Sequence, residues 1–403
     1  MFRDYYMKNF FLSDSVNSIS KREFGFVSFE GWMLRHRVFK NENELASFIR
    51  DTVPRDSFFS CAYYEDPEAE MIEKGWIGAD LIFDIDADHL ITPCDKVHDN
   101  WICGNCGFTG KGIVPQKCPA CDSEKLDVNT WPCEQCIDSA KRETIKLLEM
   151  LTSDFGFSKK EMHAYFSGHR GYHVHVESEA IKNIDSMARK EIVDYVCGLG
   201  LDITLFGLHA SQNILKALKS LNLNETSWRG RIARSVYHFI LNANIEDYKA
   251  IGLEKNVIEA IINNKNAVLK NWGNVRASGV VKGVGFENWK KIVEFCAKSQ
   301  SANVDTVVTT DVHRLIRLAG TLHGKTGLKK VEVPPSAIED FDPFKSAIAF
   351  KNGSVTVFAR NAPEFRLGEE TFGPYSNQKV TLPIAAAIML ICKGRAEVTD
   401  CIV

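Results

Sequence analysis

The stretch LIFDIDADHL, residues 81–90, decides how the rest of the chain is read. Alternate side chains of a β-strand share a face, so Leu81, Phe83, Ile85 and Ala87 point one way while Asp84, Asp86 and Asp88 point the other. One face belongs to a core and the other is acidic. Two carboxylates separated by two strand rises, about 6.7 Å at the backbone, can converge on one hard cation or on a close pair of them. A half-buried antiparallel strand with acidic residues toward solvent shows the same alternation, so the stretch alone leaves both readings open.

The chain has 403 residues, 45% of them hydrophobic, enough for one large core or two to three subdomains. Charges interrupt every short apolar run in the opening MFRDYYMKNFF, which therefore makes no signal peptide, and the longest apolar run, LPIAAAIMLIC, is about half a membrane span. A cytoplasmic protein with no membrane partner is the expectation. The net charge of −3 requires any nucleic-acid contact to come from local basic groups. Seven of the twelve cysteines fall between Cys94 and Cys136, a crowding that in a reducing compartment points to metal thiolates. The scattered Cys61, Cys197, Cys296, Cys392 and Cys401 read as small hydrophobes or incidental thiols.

Periodicity divides the chain into alternating regimes. Residues 1–93 mix the strand-like FGFVSF and FFSCAYY with the helical ENELASFIRDTV and form the first half of an α/β core with a mixed sheet. Residues 94–136 lack periodicity and are rich in Cys, Gly and Pro, as a metal-held excursion is. Residues 137–177 continue the core with a helix and with MHAYFSGHRGYHVHVES, a strand broken by Gly168 and Gly171 that resumes at Tyr172. Residues 178–300 read as a mostly helical inserted subdomain carrying MARKEIVDYVCGLG, SQNILKALKSL, SVYHFILNA and NVIEAIINNKNAVLKNW. Residues 301–403 return to the core, with strands expected at ANVDTVVTT, KVEVPPS, SAIAFK and SVTVFA and a short helix at DVHRLIRLAG.

In the excursion, Cys103-x2-Cys106 and Cys118-x2-Cys121 are eleven residues apart, the spacing of a tetrahedral zinc ribbon. Around them lies a concentric set, Cys94-x3-His98 and Cys133-x2-Cys136, suited to a second tetrahedral site; the alternative is that His98 is a surface histidine and one metal binds. With all four positions filled by protein, either zinc is structural, since a catalytic zinc keeps one position open.

SGHRGYHVHV places Ser167, His169, Arg170, His173 and His175 around two glycines, so that backbone can approach a ligand while imidazole and guanidinium groups offer donors. Such a cluster suits a polyphosphate. Two residues compete to be a third carboxylate. Asp311 follows Thr309 and Thr310 and is expected to open a helix, where capping accounts for an acid. Asp305, expected inside an apolar strand, has no such explanation and is preferred. Arg314 and Arg317, three apart, share a helical face on this reading, and His323 and Lys325 lie on a Gly-containing loop.

Taken in order, FDIDAD, SGHRGYH and VDTVVTTDVHRLIRLAGTLHGKTG, with REFGF and MLRH near the start, resemble the three motifs of the archaeal and eukaryotic DNA primase small (catalytic) subunit over nearly the whole chain. The resemblance implies a primase-type catalytic core in which Asp84, Asp86 and Asp305 hold two Mg²⁺ or Mn²⁺ ions. It implies that Ser167, His169, Arg170 and His173, with His323 and Lys325, contact the phosphates of an incoming nucleotide. His169 stands where relatives often carry arginine. The family commonly has one Cys, His, Cys, Cys zinc site, matched by Cys94, His98, Cys133 and Cys136, which makes the inner four-cysteine ribbon an insertion.

The chemistry implied is template-directed nucleotidyl transfer from nucleoside triphosphates on single-stranded DNA, making a short primer, with a primase large subunit as partner. A related primase-polymerase for repair synthesis, a zinc-ribbon nucleic-acid-binding factor without catalysis and a metal-dependent phosphohydrolase are the alternatives the motifs leave open.

Overall fold

In the computed structural model, which describes residues 1–12, 16–202, 222–270, 272 and 281–399, the aspartate strand spans Leu81–Asp86. Leu81, Phe83 and Ile85 are buried on its core face, each contributing about 1.5–3 kcal/mol on leaving water. The alternation stops at Asp86. Ala87–His89 form a 3₁₀ turn in which Asp86 Oδ1 accepts the Asp88 N–H at 2.9 Å, so Asp88 leaves the face it was expected to share.

Two four-stranded antiparallel sheets frame this strand. One runs Val331–Val333, Met162–Phe166, Gly171–Val176, Leu81–Asp86, with the aspartate strand at its edge. The other runs Leu315–Arg317, Asp56–Ser60, Phe24–Val27, Met33–Arg37. Every pairing within them is antiparallel, so the expected mixed sheet is built as α+β. An aromatic cluster of Tyr5, Tyr6, Phe10, Phe24, Phe26 and Phe39 forms the core, and it extends through Phe59 to Ile82 of the aspartate strand. The amphipathic helix Glu42–Thr52 closes it with Leu45, Ala46 and Ile49 and is capped by Asn41, whose side chain accepts the Glu44 N–H at 3.0 Å.

Three expected elements differ. Residues 306–310 form a short helix rather than a strand, because the Asp305 side chain accepts the Val307 and Val308 N–H groups and so starts a turn. Asp311 ends that helix instead of opening one. DVHRLIRLAG contains the strand Leu315–Arg317, held by pairing with Asp56–Ser60, where tertiary pairing overrides a helical spacing of leucines and arginines. SAIAFK is not a strand; helix Pro343–Ser346 ends inside it and the rest is irregular.

Contacts gather the chain into two units, one comprising Met1–Ile145, Ser158–Lys190 and Val304–Val403, the other Lys146–Phe157 and Glu191–Asn303. The second is helical where described, with helices Ser227–Asn242, Ile245–Ala250, Lys255–Lys270 and Phe286–Gln300. Its core contains Trp228, Ile232, Val236, Trp289, Ile292 and Val293, and Arg231 pairs with Asp154 at 2.8 Å in a buried bridge. SQNILKALKSL lies outside the described residues.

The cysteine-rich excursion carries a small antiparallel sheet, Thr109–Lys111, Asn100–Cys103, Leu126–Asn129. Farther on, Ser354–Ala362 pairs with both Tyr375–Pro383 and Ala396–Val398, and the apolar helix Ile384–Cys392 links the last two.

Candidate active site

Strand register sets the first contacts of the site. Asp84 lies opposite His173 and Asp86 opposite Gly171. On the shared face, His173 Nε2 sits 3.4 Å from Asp84 Oδ1. Gly171 is required by close approach: a Cβ there would stand 2.4 Å from the Ile85 carbonyl oxygen. Gly168 turns the chain with φ +88, against the His323 side chain.

The third carboxylate arrives by a backbone contact. The Asp305 N–H donates to the Asp84 carbonyl at 2.8 Å, which fixes the start of helix Thr306–Thr310 against the aspartate strand. Both capping bonds of Asp305 end on Oδ1, leaving Oδ2 without a bond to the helix. Asp305 therefore stands beside Asp84 as a helix cap whose carboxylate also bears on Asp84 electrostatically.

The electrostatics of the group follow from this crowding. Burial, and then the carboxylates of Asp86 and Asp305, push Asp84 up to about 7. Burial, and then Asp88, push Asp86 up to about 6. Partly enclosed hard oxygen donors that repel one another are stabilised by a divalent cation, and the donor set fits Mg²⁺ or Mn²⁺ better than a soft metal.

A cavity of about 210 Å³ opens from Asp84 and Asp86. Asp84, Asp86, Ser167, His169, His173 and His323 line one part of it, and Phe58, Arg314, Ile316 and Arg317 another. Arg317 is anchored by Asp56 at 2.6 Å. His169, His173 and His323 are all held well below the ordinary histidine range, first by burial and then by nearby cations: Lys393 for His169, Lys330 for His173 and Arg317 for His323. They are neutral hydrogen-bonding groups rather than charges. His169 and His323 stack with ring centroids 5.2 Å apart.

Arg170 is not on the cavity wall. Its guanidinium is buried; Nη1 donates to both Asp99 carboxylate oxygens at 3.0 and 2.9 Å and Nη2 pairs with Asp88, while Asp86 lies 4.0 Å from Nε. The inward turn has a cause, since Asp99 also accepts the Trp131 N–H and contacts His98 Nδ1 at 2.9 Å, and a carboxylate so buried needs a cation. Lys325 is exposed on its loop beside His323 and outside the wall; its backbone N–H donates to His323 Nδ1 at 3.1 Å. His175 shares the strand face of His173, stacks on it with centroids 6.4 Å apart, and meets Lys330 at 3.4 Å rather than lining the cavity.

Both metal-ligand sets assemble. The ligand atoms of Cys94, His98, Cys133 and Cys136 lie within 4.8 Å of one another, and so do those of Cys103, Cys106, Cys118 and Cys121. Each offers four soft or borderline donors converging on one point, as a tetrahedral zinc requires. Three contributors escaped the sequence reading. Asp99 follows a metal ligand with no pattern of its own, Asp56 opens an ordinary strand, and Lys393 lies at the end of an apolar helix.

Clustered hard carboxylates beside a cavity lined by histidines and arginines form the kind of site that nucleotidyl transfer requires. The comparisons with known proteins narrow that class. The family model for the DNA primase small subunit matches residues 121–335. The DNA primase small subunit PriS of Nitrosopumilus maritimus (strain SCM1) is 32% identical over 397 residues, covering 98% of this chain and 96% of the relative. Its counterparts from Cenarchaeum symbiosum (strain A) and Methanothrix thermoacetophila are each 33% identical, covering 98% of this chain and 96% and 97% of their own lengths. The chain belongs to the DNA primase small subunit family.

Proposed function

We propose that this protein is the catalytic subunit of a DNA primase, which joins nucleoside triphosphates into a short primer on a single-stranded DNA template during replication. The observation that carries the reading is the Asp305 N–H to Asp84 carbonyl bond of 2.8 Å, which brings a carboxylate from a distant part of the chain to the aspartate strand. Asp84, Asp86 and Asp305 would hold two Mg²⁺ or Mn²⁺ ions. Metal bound there would supply Lewis-acid activation of a primer 3′-hydroxyl and charge neutralisation for the pyrophosphate leaving group.

The protein's own groups bind and orient the nucleotide. Ser167, His169, His173 and His323 offer neutral hydrogen bonds to phosphate oxygens, and Arg314 and Arg317 supply positive charge across the cavity. Arg170 acts from behind, fixing Asp88 and the turn that follows Asp86. The two cysteine clusters would each hold a structural Zn²⁺. The name of the relatives, small subunit, supports a large subunit as partner, and a cytoplasmic setting accords with a replication role. Among the described residues, no helix is long and apolar enough to cross a membrane.

The test is template-dependent synthesis on single-stranded DNA with labelled nucleotides and no pre-existing 3′-end. Wild type is expected to make primers, and Asp84→Ala with Asp86→Ala to lose at least about a thousandfold in rate. Undiminished synthesis by that variant would overturn the assignment. Extension only of supplied primers would point to a repair polymerase instead.

A further inference from the structure

His169 lines the cavity beside Ser167 as a neutral imidazole, held well below the ordinary histidine range first by burial. A cation is nevertheless present. Lys393, 224 positions along the chain, is buried with its Nζ 2.7 Å from His169 Nε2 and 2.6 Å from the Thr130 carbonyl oxygen.

Its placement is over-determined. Lys393 follows helix Ile384–Cys392, and the helix ends in a paired closing turn in which the Gly394 N–H donates to the Ile391 carbonyl and the Arg395 N–H to the Leu390 carbonyl. Gly394 takes φ +64, as that turn demands. Asn129 Nδ2 then donates to the Lys393 carbonyl at 2.9 Å. Asn129 and Thr130 belong to the end of the cysteine-rich excursion, between the inner and outer ligand sets, so that region braces the lysine from the other side.

We propose that Lys393 is a positioning residue for nucleotide binding: its ammonium donates to His169 Nε2, which fixes the proton on Nδ1 and sets that N–H to donate to a phosphate oxygen in the cavity. A lysine ammonium has donors and no acceptor, so a charged Lys393 at this distance requires the Nε2 lone pair. Thr130 Oγ1, 3.2 Å away, reaches the same Nε2, and His169 Nδ1 has no partner among the described residues. The pair thus places a charge behind a directional donor. Burial and neighbouring cations push Lys393 down to about 7, and an arriving polyanion favours its charged form. This inference rests on reading the cavity as the nucleotide site, and it extends that site beyond the residues 121–335 matched by the family model.

The first measurement needs no substitution at Lys393. Protein labelled with ¹⁵N-histidine, bound to Mg²⁺ and α,β-methylene-ATP, is expected to show His169 protonated at Nδ1 and bare at Nε2, with the signal assigned by its loss in His169→Leu. A proton on Nε2 instead would overturn the proposal. The second is a double-substitution cycle in primer synthesis. Lys393→Met is expected to raise the nucleotide KM about tenfold with kcat within about twofold, as loss of one charge-assisted contact does, and to add less than about twofold in a His169→Leu background. Equal effects in both backgrounds, or an unchanged KM, would refute it. If wild type makes no primers, the primase reading falls on its own, while the tautomer of analogue-bound His169 still decides the role of Lys393.

Discussion

Asp84 gathers the electrostatics of the site in one side chain. Its carboxyl is pushed up to about 7 because it is enclosed and faces two other acids. A carboxyl raised in this way is protonated below its own titration point, so an ion that binds there must displace a proton when the pH is low. The affinity of the protein for Mn²⁺ is therefore expected to rise by up to about tenfold per pH unit as the pH climbs toward 7, and to level off above it. Calorimetric titration between pH 6 and 8.5 checks this; a flat profile would mean that Asp84 is already ionised without metal. Single residues also show what a sequence conceals. Arg170 and Lys325 belong to segments suited to phosphate, but Arg170 is claimed by Asp99, a partner 71 positions earlier, and Lys325 stays in solvent. Composition cannot reveal which local cation a distant acid will take.

At the scale of the element, the aspartate strand was legible because alternation is a local property and its apolar partners had to be buried. The helix Thr306–Thr310 was not. Its run of Val and Thr favours strand on propensity, and one capping side chain reversed that choice. The sequence suggests an acid at Asp305 without a capping role, and the structure gives it both a cap and a place beside Asp84. The two roles separate by substitution. Asp305→Asn retains an acceptor for the Val307 and Val308 N–H groups, so stability in urea unfolding is expected to change by less than about 0.5 kcal/mol while primer synthesis is lost. Asp305→Ala removes the cap as well and is expected to cost about 1 kcal/mol in addition. Retained synthesis in Asp305→Asn would show that this residue holds the helix and no metal.

Across the whole molecule, the site draws on all three segments of the first unit: Asp84 from Met1–Ile145, the histidines 169 and 173 from Ser158–Lys190, and Asp305, His323 and Lys393 from Val304–Val403. A site assembled at such separations depends on whatever holds the segments, and a continuous chain of contacts shows how one metal cluster does so. His98, in the outer cluster, meets Asp99 at 2.9 Å; Asp99 holds Arg170; Arg170 holds Asp88 at the turn after Asp86. The inner cluster, Cys103 to Cys121, has no such link to the aspartates among the described residues. Two Zn²⁺ per chain are expected by elemental analysis, falling to one in Cys94→Ser and to one in Cys106→Ser. The two losses differ in consequence. Cys94→Ser frees His98 and with it the orientation of Asp99, so Mn²⁺ binding at the aspartates, followed by electron paramagnetic resonance, is expected to weaken about tenfold, the size of effect typical of groups that orient metal ligands. Cys106→Ser leaves that chain of contacts intact and is expected to leave Mn²⁺ affinity unchanged within about twofold. Equal weakening in both variants would mean that zinc acts through general folding, because only the outer cluster touches the carboxylate and guanidinium that reach the active-site turn.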